Sequence, residues 1–523
     1  QDDLIARLYL DKLDHPQDAR AADTFSAHCS ERVRLAARVM LEQSDLLIGV
    51  WDGVSQAFVG GTGHTIAVAL RMGAPVVWID AKAPEEWRIL RTVESLSGLV
   101  ADEDEDREAT LASLVRQALR PAESQGQHDH RQDKSDGGAS AAARALEAET
   151  WRPHSDPLWH AYRRVEVLFS GDGRPWRNLR QTYESPDAVN AGGAAETLAA
   201  MRALPGADPK LIEDIKVDVL RRFAWFDGVS ARLSDAYRGG MTANFLFAAA
   251  AIVSSVAYLP FMGLNSSPLF QTLEVLLLGA TLFITWLGQR RYWHSRWFET
   301  RRVAEYFRHG AILLALGVAR PPGRWPKGAE TSWPEWYARF GLRDVGLPQT
   351  VVTRPYLREA LEELLDNHVT RQRDYHIGKA RRLTNVHQNL DSLSERMFAL
   401  AVGSVAAALG LEAASTLAVL PPLIVQEALR VLTFLSAVLP TFGSAVTGVR
   451  YFGDFERFAS ISEVTAEKLN GVHVRIKLLL AAPDQTLEYG LVSDLVHATD
   501  DVVVTEIESW QAVFGGKTMS VPG

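Results

Sequence analysis

The sequence predicts an α/β domain with a parallel sheet at the N-terminus, followed by a largely α-helical membrane region with two transmembrane hairpins, about four spans in all. Two observations lead to this prediction. Short apolar segments at 46–51 and 75–79 flank a glycine-rich loop and a helical pattern, an order typical of parallel β-sheets. Two long apolar stretches, 245–287 and 397–449, are each long enough to cross a bilayer core twice as helices.

Composition and charge exclude several classes of function. The net charge of the 523 residues is −9, whereas nucleic-acid-binding proteins usually present a basic face, so we expect no nucleic-acid partner. The single cysteine, Cys29, cannot form an internal disulfide and fits a reducing compartment. The 14 histidines are scattered, and the sequence offers neither a metal site nor a Ser–His–Asp or Cys–His catalytic set.

The N-terminal domain is expected over residues 1–120. A helix near 23–43 precedes the first strand, and a second helix runs from about Thr62 to Met72, where Gly73 provides a stop. Both strands are continuous apolar runs, which predicts a sheet covered by helices on both faces. Because the first pattern along the chain is helical, we expect an opening strand of this domain upstream of Gln1.

The remainder of the chain divides by composition. Residues 121–150 are rich in Gln, His, Asp, Ser and Gly, which is typical of a flexible linker. Beyond the linker we expect a helical region at 151–320 that contains the first hairpin, a cytosolic helical connector at 321–396, and the second hairpin with C-terminal amphipathic helices at 397–523.

The first hairpin is the clearer of the two. Residues 245–264 carry no charge, a polar turn follows at 265–268, and residues 270–287 carry only Glu274. The alternative is a soluble helical bundle with unusually apolar core helices. A soluble helix needs a polar face, and 245–264 offers almost none, so the membrane interpretation is favoured.

The second hairpin is interrupted by charges. Its spans are expected at 397–411 and 431–449, and the connection between them contains Glu412, Glu427 and Arg430. One interpretation places these charges at the outer turn of two short spans. The other has them line a water-filled path, because charged groups at membrane depth usually face an interior or a cavity.

The two hairpins agree in their flanking charges and in their order. Arginines lie before and after each hairpin, and none lies in the first turn, so the positive-inside tendency puts the soluble parts and both termini in the cytosol. An offset of 157 residues also superimposes both pairs of spans and aligns Phe298-Glu299 with Phe455-Glu456. The alternatives are a duplication of a two-span unit and a chance alignment.

A glycine loop connects the first strand to the following helix. It reads Trp51-Asp52-Gly53, then Gly60-Gly61-Thr62-Gly63-His64. Glycines let a backbone approach a ligand closely, and the N–H groups at a helix start favour phosphate. The alternative is a tight turn that binds nothing. The predicted ligand-binding residues are Trp51, Asp52, Gly53, Gly60, Gly61, Thr62, Gly63 and His64.

Residues 44–53, 60–62 and 73–79 together resemble the SLOG superfamily of Rossmann-like nucleotide-binding domains, over about 1–115. The resemblance implies a nucleotide or nucleotide-derived ligand. The enzymatic branch, the lonely-guy phosphoribohydrolases, carries Gly-Gly-x-Gly-Thr-x-x-Glu. Here His64 occupies the Thr position and Ala67 the Glu position. The loss of that carboxylate removes the acid/base group, which favours a sensor over an enzyme.

The hairpins resemble the SLATT family of two-span membrane modules. The resemblance rests on each short hairpin and the helix after it, 293–308 in the first copy, with Trp297, Arg301 and Glu305 on its turns. It implies an effector in the bacterial inner membrane, part of an antiviral system, in which a nucleotide signal opens or assembles the modules. The implied partners are the lipid bilayer, the nucleotide ligand and further copies of the chain.

Three functions remain open at this stage. The first is a ligand-gated membrane effector that forms a pore or disrupts the membrane. The second is a membrane-tethered nucleotide or NAD hydrolase with Asp52 and His64 as acid/base groups. In the alternative interpretation of these two residues, Asp52 caps the loop or receives a ribose hydroxyl, and His64 is a solvated residue of the first helical turn. The third is a transporter or membrane scaffold.

Overall fold

The computed structural model describes residues 2–54, 59–96, 106–119, 149–154, 156–171, 182–257, 267–320, 333–417, 422–514 and 520. Helices dominate these residues. The N-terminal elements, in chain order, are α1 (Asp2–Asp14), α2 (Ala19–Glu42), β1 (Leu47–Trp51), α3 (Thr62–Arg71), β2 (Val76–Asp80), β3 (Arg88–Leu90), α4 (Val93–Leu96) and α5 (Arg107–Leu119).

The second part of the described chain contains long helices. They are α6 (Ala161–Phe169), α7 (Ala195–Ala203), α8 (Pro209–Val256), α9 (Ser267–Arg290), α10 (Trp293–Ala315), α11 (Trp333–Arg343), α12 (Arg354–Thr416), α13 (Pro422–Gly453), α14 (Phe455–Ala481) and α15 (Tyr489–Phe514). Residues 121–148 of the predicted linker and residues 265–266 of the predicted turn lie outside the described residues.

The sheet corrects the predicted fold class. Strands β1 and β2 are parallel and joined through α3, as expected, but β3 pairs antiparallel to β2, so the described residues contain a small mixed sheet and no Rossmann-like parallel sheet. The short link from Asp80 to Arg88 accounts for the reversal, because parallel neighbours need a crossover of a dozen or more residues.

The prediction that helices cover both sheet faces is also wrong for β1. Ile48 and Val50 are 64% and 57% exposed, although the run of apolar residues suggested a fully buried strand. The opposite face of the sheet is buried. Gly49 leaves room there for Ile66 of α3, since a Cβ at Gly49 would lie 2.8 Å from the Ile66 Cδ1.

Four helical segments of the described chain are long and apolar enough to cross a membrane. They are α8, α9, α12 and the segment formed by α13 and α14. Their most apolar windows are 50%, 17%, 11% and 11% buried, respectively. Core helices of a soluble bundle would be buried inside the protein. The largely uncovered apolar surfaces of the last three therefore favour a lipid environment over the soluble-bundle alternative.

Polar contacts join the two spans within each hairpin. In the first, the Asn244 amide donates to the Thr285 hydroxyl at 2.9 Å. In the second, the hydroxyls of Ser394 and Thr447 lie 2.8 Å apart. Hydrogen bonds of this kind contribute about 0.6 kcal/mol each in membranes. The two hairpins meet where the Phe245 ring packs on Gly448.

The two membrane units share one order of elements. Each begins with a capped helix start, at Asp208 and Thr353, followed by a π-helical turn, a long helix, a second apolar helix and a further helix, α10 or α14. In both units a single left-handed residue, Tyr292 or Asp454, lies between the second apolar helix and this further helix. This shared order supports duplication, with an offset of 162 residues between these two joints in place of 157.

Helices α10 and α14 form the centre of the helical body together with α11, α15 and the early parts of α8 and α12. From Val303 to Ala315 nearly all of α10 is buried, and Tyr306 and Phe307 are fully enclosed. The sequence between the hairpins therefore folds into the core of the body on which the spans stand.

Two packed histidines in this body predict acid sensitivity. The Nε2 of His368 lies 2.9 Å from the Nδ1 of His309. Burial lowers the pKa of His368 to about 3 and lowers the pKa of His309 well below its usual value. In the unfolded chain both rings bind a proton below about pH 6.5, whereas in the folded chain they stay neutral. The free energy of unfolding should therefore fall as pH drops from about 6.5 towards 3.

Each histidine can contribute a slope of up to about 1.4 kcal/mol per pH unit. Denaturation of the purified chain in detergent, between about pH 7.5 and about pH 5, measures this slope. His368→Gln should reduce the slope, whereas His15→Gln, at a side chain 65% exposed, should leave it unchanged. Equal slopes for the wild type and His368→Gln would contradict the assignment.

Candidate functional site

The first arm of the predicted ligand loop is stabilised by its own contacts. The backbone N–H of Val54 donates to Asp52 Oδ1 at 3.2 Å. Gly53 adopts a φ of +72°, and a Cβ there would lie 3.3 Å from the Trp78 ring. The Trp78 indole N–H in turn donates to the Trp51 carbonyl at 2.9 Å. Asp52 therefore caps its own turn, one of the three roles that the sequence left open for it.

The second arm lies against α2. Gly60 has a φ of +87°, and a Cβ at this position would be 2.7 Å from the carbonyl oxygen of Ser30. Its N–H points at His64 Nδ1, 3.5 Å away. Gly61 is the N-cap of α3 and makes no side-chain cap hydrogen bond. Close packing against a helix backbone is thus one physical reason for glycine at position 60.

An open cleft of about 320 Å³ lies beside this arm, between the loop and α1–α2. Of the eight predicted ligand-binding residues, Gly60 and Gly61 line it, together with Lys12, Phe25 and Cys29. Trp51, Asp52, Gly53, Thr62, Gly63 and His64 are not among the lining residues, and residues 55–58 of the loop lie outside the described chain.

The residues around the loop offer a poor proton donor for acid/base catalysis. Ala67 lies on α3 where the hydrolase pattern has its glutamate. Glu31 of α2 is the carboxylate that interacts with His64, and a hydrogen bond from Arg34 lowers the pKa of that carboxyl. A carboxyl with a lowered pKa stays ionised at neutral pH and is a poor proton donor.

The N-terminal domain is joined to the helical body by charged contacts. Asp45, two residues before β1, pairs with Arg339 at 3.0 Å and Arg343 at 2.8 Å, both on α11. Glu42, at the end of α2, lies 2.7 Å from the His497 ring on α15, and both side chains are almost fully buried. Local sequence patterns could not predict these contacts, because the partners lie about 300 to 455 positions apart.

A second cavity with charged walls lies between the two hairpin units, beside the starts of α10 and α14. Its volume is about 730 Å³. Arg238 and Arg301 are among its lining residues. In the sequence both arginines marked the predicted cytosolic side, and Arg301 also contributed to the SLATT resemblance. Their convergence on one cavity with aromatic rings could not be seen from local patterns.

The charges at the second outer turn lie on helices. The predicted connection at 412–430 is shorter than expected, since α12 continues to Thr416 and α13 begins at Pro422. Glu412, Glu427 and Arg430 are all exposed, and Arg430 pairs with Glu427 at 2.9 Å. Side chains at an outer turn and side chains that line a water-filled path are both exposed to water, so this exposure leaves both interpretations open.

No protein-family model, no curated protein and no solved structure matches this chain. The SLOG and SLATT resemblances therefore rest on the sequence motifs alone. Among the described residues, no group of three or more His, Cys, Asp and Glu side chains is arranged to hold a metal ion.

A pair of glycines tests the packing of the loop on α2. Gly60 and Gly346 have similar φ values, +87° and +82°, but a Cβ at Gly346 would meet nothing within 4 Å. Alanine at either position carries the left-handed strain of about 1–2 kcal/mol. Gly60→Ala should lower the free energy of unfolding by roughly 1–3 kcal/mol more than Gly346→Ala, because the α2 backbone cannot yield easily. Equal losses in chemical denaturation would contradict the contact.

Proposed function

We propose that this chain is a bacterial membrane effector. Its N-terminal domain senses a nucleotide-derived signal near the glycine loop and controls the assembly or opening of the two transmembrane hairpins. The observation that best supports the proposal is the attachment of the N-terminal domain. The helix that carries the loop contacts, α2, ends in a buried contact with α15, which packs on the cytosolic helices that continue the spans.

The route from the loop to the membrane is short. Gly60 packs on α2, and α2 reaches α15 through Arg38 and Glu42, which pair with Asp494 and His497. Helix α15 contacts both α10 and α14. Each of these two helices is separated from a membrane span by a few residues at most. A ligand that shifts α2 would therefore act on both hairpins through packed side chains.

Such a mechanism requires two states that the ligand binds with different affinity. The left-handed joints at Tyr292 and Asp454 are the natural hinges, since each is the one left-handed residue between a span and a cytosolic helix. A change in the tilt of α10 or α14 can be absorbed there without deforming either helix.

Assembly into a homo-oligomer is part of the proposal. Gly403 and Gly410 lie on α12, two turns apart, and a Cβ at either position would meet nothing within 4 Å. Small residues on an open membrane face let helices of neighbouring chains approach closely. The bacterial inner membrane, with the N-terminal domain and both termini in the cytosol, follows from the SLATT resemblance and the flanking arginines.

Dye release from liposomes that contain the full chain tests this function. A nucleotide that binds the protein should release the dye, and Asp45→Asn should retain binding in calorimetry but reduce release, because its ion pairs transmit the change. Glu196→Gln is the matched control, since it removes an exposed ion pair with Arg371 on the body surface.

The outcomes separate the alternatives. Binding without release by any bound nucleotide would overturn the effector function. Conversion of the bound nucleotide into products would favour the hydrolase, and failure of every nucleotide to bind would favour a transporter or scaffold.

A further inference from the structure

Both hairpin units contribute to the 730 Å³ cavity described above. Its walls come from α6, α8 and α10 on the side of the first unit, and from α12, α14 and α15 on the side of the second. The cavity lies just below the membrane spans, since Arg238 precedes the apolar stretch at 245–264 by two helical turns. A ligand held there would touch both units at once.

We propose that this cavity binds a phosphate-bearing ligand with a flat ring, such as a nucleotide, at a site separate from the glycine loop. Such a ligand would bridge the two hairpin units. The site does not depend on the function proposed above, because its geometry involves none of the N-terminal domain.

Aromatic rings surround one guanidinium group in the cavity. The Arg238 Cζ lies 4.5 Å from the ring centre of Trp297, 5.0 Å from Tyr162, 5.7 Å from Phe458 and 5.8 Å from Trp510. Trp297 and Phe458 are buried and lie about one turn into α10 and α14. Cation–π contacts of this kind fix the position of Arg238 and leave flat apolar faces around it.

The charges of the lining residues are unbalanced. Arg163 pairs with Asp235 at 2.5 Å, and Arg301 pairs with Asp227 at 2.8 Å. Among the other charged residues of the lining, Arg238, Lys379 and Arg382 are cationic, and Glu166 is the one carboxylate.

Lys379 and Arg382 form no ion pair with any carboxylate of the described chain, and the Lys379 Nζ lies 4.6 Å above the Trp510 ring. An anion would supply the missing negative charge, and guanidinium groups match phosphate oxygens well.

One buried polar atom in the lining lacks a partner. The Arg163 side chain is 11% exposed, and its Nη1 has no hydrogen-bond partner among the described residues. The nearby Tyr162 hydroxyl is buried beside Glu166 and Arg238. Buried polar groups are nearly always hydrogen-bonded, so a guanidinium donor without an acceptor indicates a ligand that supplies an acceptor oxygen.

The size and the chemistry of the walls select the class of ligand. Sites for small molecules usually have volumes of about 300–1,000 Å³, and this cavity lies within that range. A phosphate alone would make no stacking contact with the aromatic walls. Bases stack on aromatic side chains whatever their identity, and Trp510 and Tyr375 lie on either side of Lys379, whose Nζ is 4.6 Å and 5.7 Å from their ring centres.

Binding measurements on the full chain in phosphatidylcholine nanodiscs test the site. The probes are ATP, GTP, CTP, UTP and NAD, with adenosine and pyrophosphate as fragments. At least one nucleotide should bind, and Lys379→Gln and Arg382→Gln should each weaken that binding about tenfold or more. Arg381→Gln is the matched control, because Arg381 is exposed on the same helix and does not line the cavity.

A second variant tests the ring. Trp510→Leu should weaken nucleotide binding but leave pyrophosphate binding unchanged. The proposal is overturned if no nucleotide binds, if Lys379→Gln and Arg382→Gln bind as the wild type does, or if pyrophosphate binds as tightly as the nucleotide.

Two further outcomes also overturn it. Loss of binding in Gly60→Ala alone would assign the nucleotide to the glycine loop and leave the proposed function intact. Displacement of the nucleotide by phosphatidylglycerol added to the nanodiscs, dependent on Lys379, would assign the cavity to a lipid headgroup.

Discussion

A buried junction of charges joins the three parts of this protein. Arg320, which follows α10, donates from its Nε to Asp500 of α15 at 2.6 Å, and both side chains are 1% exposed. The next residue back, Ala319, donates its N–H to Glu42 of α2 at 3.1 Å, and Glu42 also contacts His497. The N-terminal domain, the first hairpin unit and the helix that follows the second unit therefore meet at one place.

The burial of this junction determines how much it contributes to stability and how much its loss costs. Burial of an ion pair contributes little net stability, but removal of one partner leaves a buried charge and costs about 3–5 kcal/mol. Arg320 also lies 4.5 Å from the ring centre of Tyr306, inside the core of the body. The junction thus holds the three parts in one relative arrangement.

Local patterns in the sequence were enough to predict the apolar helices and the β1–α3–β2 unit. Hydropathy over about 20 residues is a local property, and it located all four stretches that are apolar enough to cross a membrane. The sheet type failed for a physical reason. Strand β3 has three residues, Arg88–Leu90, too few to leave a pattern, and the direction of pairing depends on the short link before it.

The sites depend on contacts between segments that are far apart in the sequence, and local patterns do not reveal such contacts. The loop glycines were predicted as ligand residues, and the structure adds a packing role for Gly60 that the spacing could not reveal. Arg238 and Arg301 were markers of the cytosolic side in the sequence, and the fold brings them into one aromatic cavity. Sequence separation hides such convergence, because each arginine looks ordinary on its own helix.

The membrane arrangement is the central claim, and cysteine accessibility tests it most directly. In a Cys29→Ser background, Thr416→Cys places a thiol at the outer end of α12, and Ser460→Cys places one on the exposed face of α14. A membrane-impermeant maleimide should label the first variant in intact cells and the second only after the membrane is disrupted. Labelling of both variants in intact cells, or recovery of the chain in the soluble fraction, would contradict the account.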